Sequence, residues 1–243
     1  MIRWLAPVAA ILLLWQGVVG FTGLPPYILP APLRVTAAIR DNAGLLASHA
    51  IVTLGEIAVA LVLGALLGAA TAVALALSPP LRRVAEPLLV LSQAIPVFAL
   101  APIFTLWFGY GMESKIAVAL IVVYFPVTAS FLDALLRTPP TLVRLAGVMQ
   151  ARRWTMMWHV QIPAALPGLL SGLKIAAVYA PIGAVIGEWV GASRGLGYLM
   201  LLANGRARTD LMFAAVLLIA VIAVGLHLAT GWAARRMMEW QER

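Results

Sequence analysis

Residues 51–78 read "IVTLGEIAVALVLGALLGAATAVALALS", a stretch with a single charged side chain, Glu56. About 20 apolar helical residues are enough to cross the ~30 Å hydrocarbon layer of a bilayer, and this run is longer than that. Similar runs occupy 4–21, 87–109, 115–136, 164–190 and 210–232. The pattern predicts an all-α membrane protein with six spans, organised as one domain over 1–243. Composition agrees: 63% of the 243 residues are hydrophobic, 11% are charged and the mean hydropathy is +0.99. A soluble domain of this size has too little interior to hide that much apolar surface. The first run follows Arg3 as a signal peptide would. It ends in Val18-Val19-Gly20, a poor small-x-small cleavage site, and carries Trp15 in its middle, so it is read as a retained span.

Turn-rich stretches separate the runs: Pro25 and Pro26, Pro30 and Pro32, Pro79 and Pro80, residues 109–111, Pro139 and Pro140, and residues 191–205. The net charge of +8 would suggest nucleic acid in a soluble protein. Here the cations lie mainly between apolar runs, so they are read as a topology signal and as contacts to anionic lipid headgroups, with no nucleic-acid partner. With the N-terminus inside, Arg3, Arg82, Arg83, Arg137, Arg144, Arg152, Arg153, Arg235, Arg236 and Arg243 share the cytoplasmic side. Arg34, Arg40, Lys115, Arg194, Arg206 and Arg208 fall outside. The bias places both termini in the cytoplasm. Trp107, Tyr110, Trp189, Trp232 and Trp240 fall near the expected interfaces.

Several chemistries are excluded. Cysteine is absent, and His49, His159 and His227 share no ligand spacing, so no metal site is expected. Ser171 lacks the G-x-S-x-G setting of a hydrolase nucleophile and has no evident histidine partner, so no catalytic residue is assigned. A secondary transporter would show inverted repeats and carboxylates at the membrane midplane; no clear repeat is present and the carboxylates fall near span ends. Within the second run Ala60, Gly64, Gly68 and Ala72 recur every four residues, a small-residue row that permits close helix packing in lipid.

One segment breaks the apolar pattern. Residues 137–163 form the longest loop on the cytoplasmic side, and "QARRWTMMWHVQIP" within it gathers arginines, tryptophans and a histidine. Residues 141–150 and 152–161 both read as short helices. In the second, Trp154, Met157, Trp158 and Gln161 recur at three- and four-residue spacing, and Pro163 is expected to stop it. Two readings are open: an amphipathic helix lying on the membrane surface, or a knob that docks into a soluble partner.

"RLAGVMQARRWTMMWHVQIPAALPG" resembles the cytoplasmic loop of binding-protein-dependent ABC importer permeases, through Ala146, Ala151, Arg153, Trp154, Ile162 and Pro163. It departs from that pattern at Arg144, where the family usually has glutamate, and at Gln150, where it usually has glycine. Because a glutamine resists φ > 0, the turn between the short helices is expected to be altered. "ILPAPLRV", "IPVFALAPIFTLWFGYGMESKIAVAL" and "GEWVGASRGLGYLM" resemble, in order, segments of the sulfonate, nitrate and taurine group of these permeases. Residues 180–215 look most like the group assigned to hydroxymethylpyrimidine-type thiamine precursors.

The resemblance implies a six-helix type I importer permease of the bacterial inner membrane, with 137–163 as the coupling-helix loop. Arg144, Ala146, Gln150, Ala151, Arg153, Trp154 and Pro163 would then be ATPase-coupling residues. It also implies a second permease copy, two ATPase subunits and an extracytoplasmic binding protein. ATP would be used by the partner subunit, with no cofactor held here; the chain itself lacks G-x-x-x-x-G-K-[ST]. Tyr179, Pro181, Glu188 and Trp189 are pathway or gate candidates. For Glu188 two readings stand: an outer gate, or an interfacial carboxylate paired with Arg194 or Arg206. Glu56 and Asp133 are read as interfacial or pathway carboxylates, and Pro181 as a kink in its span.

Overall fold

A computed structural model describes residues 2–238, and every regular element among them is helical. In chain order they are α1 (Ile2–Thr22), α2 (Pro32–Asp41), α3 (Ala43–Leu77), α4 (Pro79–Ala94), α5 (Val97–Phe108) and α6 (Met112–Leu136). There follow α7 (Pro140–Val148), α8 (Arg153–Met156), a π turn over Met157–Gln161, α9 (Ile162–Gly191), α10 (Leu196–Gly205) and α11 (Thr209–Met238). Trp240 and Arg243, used above in the interface and charge arguments, lie outside the described residues, as do the side chains of Arg3 and Trp4.

α6 is the hub, packed between α3 and α9, and α11 closes the outside of α9. Small residues let these backbones approach. A Cβ on Gly64 of α3 would stand 2.4 Å from Val123 of α6, and one on Gly172 of α9 would stand 2.7 Å from the Pro126 carbonyl oxygen. The Ala60-Gly64-Gly68-Ala72 row is therefore a packing seam, fully buried at both alanines. Side chains facing away from the seams, such as Val62, Leu66 and Leu106, are exposed on the bundle surface. That is the surface expected of helices solvated by lipid. Trp15 ties α1 to the bundle by donating to the Pro30 carbonyl at 3.1 Å and stacking near Phe213.

The six expected spans need correcting, since among the described residues four helices (α3, α6, α11 and the continuous run of residues 153–191), or five if the bent pair α4–α5 is one span, are long and apolar enough to cross a bilayer. The run at 87–109 is not one helix: α4 and α5 meet at a 98° bend. Pro96 explains it, since proline cannot donate an N–H and pushes Ile95 into extended backbone (φ −80°, ψ 120°). The stretch at 191–205 contains α10, and α3 starts at Ala43, eight residues ahead of the apolar run at 51. The helix there includes Ser48 and His49, which hydropathy alone does not register. Finally, Pro163 does not end a helix. The π turn before it widens the coil, so the Ile162 N–H reaches back to the Met157 carbonyl and the proline ring is accommodated. Residues 153–191 thus form one rod, unbroken at Pro167 and Pro181.

Candidate functional site

The rod of residues 153–191 joins two regions at opposite ends of the bundle. At its start lies the α7 loop. α7 opens with Pro140 in its first turn and buries only Ala146. Leu142, Leu145, Val148 and Met149 are exposed, Val148 at 83%. The helix ends in a Schellman motif: the Ala151 N–H donates to the Ala146 carbonyl (3.0 Å) and the Gln150 N–H to that of Gly147 (2.9 Å). The motif needs a left-handed residue, and Gln150 supplies it at φ 54°. The glutamine therefore takes the glycine conformation, contrary to the altered turn expected from sequence. Local hydrogen bonds hold it there against a strain of about 1–2 kcal/mol.

Beyond the turn, Arg152 is extended and Arg153 starts α8. Trp154 (62%) and Trp158 (57%) are exposed while Met157 is buried, so the expected Trp-Met-Trp face is split; the π turn rotates residues 157–161 relative to a regular helix. Arg144 is exposed and its Nε donates only to the Pro140 carbonyl, at 3.3 Å. Asp133 at the end of α6 pairs with Arg137 at 2.8 Å on the surface.

At the other end, Glu188 is 1% exposed. It does not pair with Arg194 or Arg206; the described ion pairs are those of Asp41 and Asp133. Its Oε1 accepts the Thr53 hydroxyl proton at 2.6 Å, and its Oε2 accepts the N–H groups of Gly197 and Tyr198. Thr53 Oγ1 in turn accepts the Leu196 N–H at 2.8 Å. The first three amides of α10, which have no partner within their own helix, are thus satisfied by a carboxylate from α9 and a hydroxyl from α3. Gly195 precedes them at φ 111°, and a Cβ there would lie within 2.4 Å of the Glu188 carboxylate. Its N–H donates to His49 Nδ1 at 3.0 Å.

Lys115 completes the region. The sequence reading placed it among exposed outer cations, yet it is 4% exposed and donates to the carbonyls of Tyr110 (2.6 Å), Gly111 (2.7 Å) and Gly191 (3.0 Å). Those three acceptors use all three ammonium hydrogens. Glu56 lies beside Glu188 and Lys115, 2% exposed, and its Oε2 has no hydrogen-bond partner. Thr53, Glu56 and Lys115 were missed as one assembly with Glu188. The signal for α3 was present, since Thr53 and Glu56 are three apart and share a helix face.

The other gate candidates divide. Trp189 is half-exposed against Phe98, with ring centroids 6.4 Å apart, and Pro181 is buried. Tyr179 lines a cavity of about 400 Å³ next to the α4–α5 bend. His227 is exposed on α11. No group of three or more potential metal ligands occurs among the described residues.

Known proteins share both the sequence and this architecture. A "Probable ABC transporter permease protein" of Haemophilus influenzae is 46% identical over 98% of each chain. The riboflavin transport system permease protein of Chloroflexus aurantiacus is 36% identical over 97% of this chain and 89% of its own. The formylaminopyrimidine transport permease protein of Halalkalibacterium halodurans is also 36% identical, over 71% of this chain and 70% of its own. The inward-facing MetNI methionine ABC transporter shares the fold, with a TM-score of 0.72 at 21% identity over 81% of this chain and 97% of that one. The family model of the binding-protein-dependent transport system inner membrane component matches residues 47–239. These likenesses set aside the secondary-transporter and hydrolase readings: the chain belongs to the binding-protein-dependent transport system inner membrane components, and is a multi-pass permease subunit of an ABC importer, a transport subunit and not itself the ATPase.

Proposed function

We propose that this permease imports a hydroxymethylpyrimidine-type precursor of thiamine. The observation that carries the reading is the 36% identity to a formylaminopyrimidine permease, together with the resemblance of residues 180–215 to the thiamine-precursor group. The equal identity to a riboflavin permease points to the same chemical class, a nitrogen heteroaromatic. A sulfonate, nitrate or taurine-like anion is the second reading, favoured by the segments at 28–35 and 95–120. In cells unable to make the thiamine pyrimidine, expression of this permease with its partners should restore growth on external aminopyrimidine. Failure to grow, with accumulation of a sulfonate, would reverse the assignment.

The subunit works as a homodimer above two ATPase subunits, which consume the ATP; this chain holds no cofactor. A binding protein delivers cargo on the far side, and the positive-inside bias puts both termini and the α7 loop in the cytoplasm. The exposed apolar row of α7 is suited to docking, because a short helix with Leu145, Val148 and Met149 in water is stabilised by a partner's groove. Arg144, Ala146, Gln150, Ala151, Arg153, Trp154 and Pro163 shape that knob and its junction with the rod. Closure of the ATPases moves α7, and the continuous helix from 153 to 191, ~58 Å long at 1.5 Å per residue, carries the displacement to Glu188 and Trp189. Rigid-body tilting of such an element is a common route between inward- and outward-open states.

A further inference from the structure

We propose that the cavity at the α4–α5 bend is a transient binding site for a neutral, hydrogen-bonding heteroaromatic molecule. The inference rests on the cargo reading above for the identity of the probe, and on the cavity itself for the chemistry. Irregular backbone at membrane depth survives only where protein or a polar cavity satisfies it, and two irregularities converge here. The bend leaves the last carbonyls of α4 and the amides of Val97 and Phe98 without helical partners, while the Ala99 N–H is taken by the Pro96 carbonyl at 2.9 Å. On the facing helix, Pro126 removes the N–H that would otherwise take up the Val122 carbonyl. Val122 and Pro126 both line the cavity.

The side chains extend this pattern. Ser92, Gln93, Ser130 and Tyr179 reach the cavity from α4, α6 and α9. Ser92 is occupied, donating to the Leu89 carbonyl at 2.7 Å and accepting weakly from Gln93 at 3.4 Å. The hydroxyls of Ser130 and Tyr179 make no hydrogen bond to the described residues. None of the described lining residues carries a charge, whereas the cavity beside α2 is walled by Arg34, Asp41, Arg208 and Asp210. An anion entering the bend would shed water without meeting a counter-charge. A neutral ring with its own donors and acceptors meets both kinds of partner, against the aromatic face of Tyr179. The volume of about 400 Å³ falls within the ~300–1,000 Å³ of small-molecule sites.

The test uses the whole importer, with its ATPase and binding protein, in lipid vesicles. Ser130→Cys places one thiol in a chain that has none. Saturating hydroxymethylaminopyrimidine should slow maleimide labelling of the permease at least about threefold by occupying the site, and taurine should leave it unchanged. Tyr179→Phe, which removes only the hydroxyl, should raise the apparent KM for pyrimidine uptake about fivefold. Wild-type uptake of the two compounds tests the cargo reading separately. Vesicles that accumulate the pyrimidine while it neither protects Cys nor depends on the Tyr179 hydroxyl would overturn the site and leave the cargo intact. Accumulation of taurine alone would overturn the cargo reading, and protection by taurine would overturn the neutral-ligand class. Protection by neither compound overturns the site whatever the vesicles accumulate.

Discussion

The two ends of the 153–191 rod are built on opposite principles. Around Glu188 the polar groups are buried and, apart from Glu56 Oε2, paired: one carboxylate, one hydroxyl and one ammonium tie α3, the start of α6, the end of α9 and the start of α10 together. Around α7 almost nothing is buried but Ala146 and Met157, the turn is closed by backbone alone, and large apolar side chains face outward. The first end satisfies its polar groups within the described residues, Glu56 Oε2 excepted. The second is stable as a local shape but leaves its apolar surface exposed, as the proposed docking requires. Under the proposed coupling, an end that is pushed needs a rigid outline and an open face, and an end that holds or releases a pathway needs internal bonds whose loss is felt at once.

Substitutions can break that contrast, and the largest effect belongs to the buried end. Gly195→Ala would drive a methyl into the Glu188 carboxylate at a positive φ. It should cost at least about 3 kcal/mol, seen as a lower melting temperature or poor recovery of the purified permease. Next comes Lys115→Met, which removes the donor from three part-buried carbonyl contacts and should cost about 2 kcal/mol in the same melt. Glu188→Gln turns one acceptor into a donor facing the amides of α10. A loss of about 2 kcal/mol is expected, with faster hydrogen exchange at Leu196 to Tyr198 and little change at α7.

The smallest effect sharpens the comparison. Gln150→Gly and Ala207→Gly each relieve a left-handed residue inside a Schellman motif, one at each end of the molecule. Both should stabilise the fold by about 0.5–1 kcal/mol. Only Gln150→Gly should also alter ATPase stimulation, because only that turn sets the angle of the docking helix.

Much of this was legible in order and type of residue. Apolar length located four of the six expected spans, α3, α6, α9 and α11, and the four-residue spacing of Ala60, Gly64, Gly68 and Ala72 located a packing seam. What failed had local physical causes. Hydropathy averages over Ile95-Pro96, so a bent pair reads as one span. It also passes over a helix start such as residues 43–50, whose small and polar residues are compatible with helix. Pro163 reads as a stop unless a π turn is foreseen, and π turns have no simple residue code. Gln150 shows that a backbone motif can impose a conformation its side chain disfavours. The burial of Lys115 was hidden because its partners are carbonyls from residues 110, 111 and 191, and such acceptors leave no mark on residue type. Glu188 was found, but its partners were sought among arginines when the structure pairs it with amides and a hydroxyl.

The claim that the open end transmits the work of ATP hydrolysis is tested most directly by Ala151→Asp in the complete importer. Ala151 closes the Schellman turn through its backbone and is half-buried at the junction of α7 and α8, so a carboxylate there puts charge into the docking knob while the membrane bundle is untouched. ATP-driven uptake should fall at least about tenfold, the loss of about 1.4 kcal/mol of coupling, while the variant inserts in the membrane in normal amounts. Uptake at the wild-type rate, with insertion intact, would contradict the account.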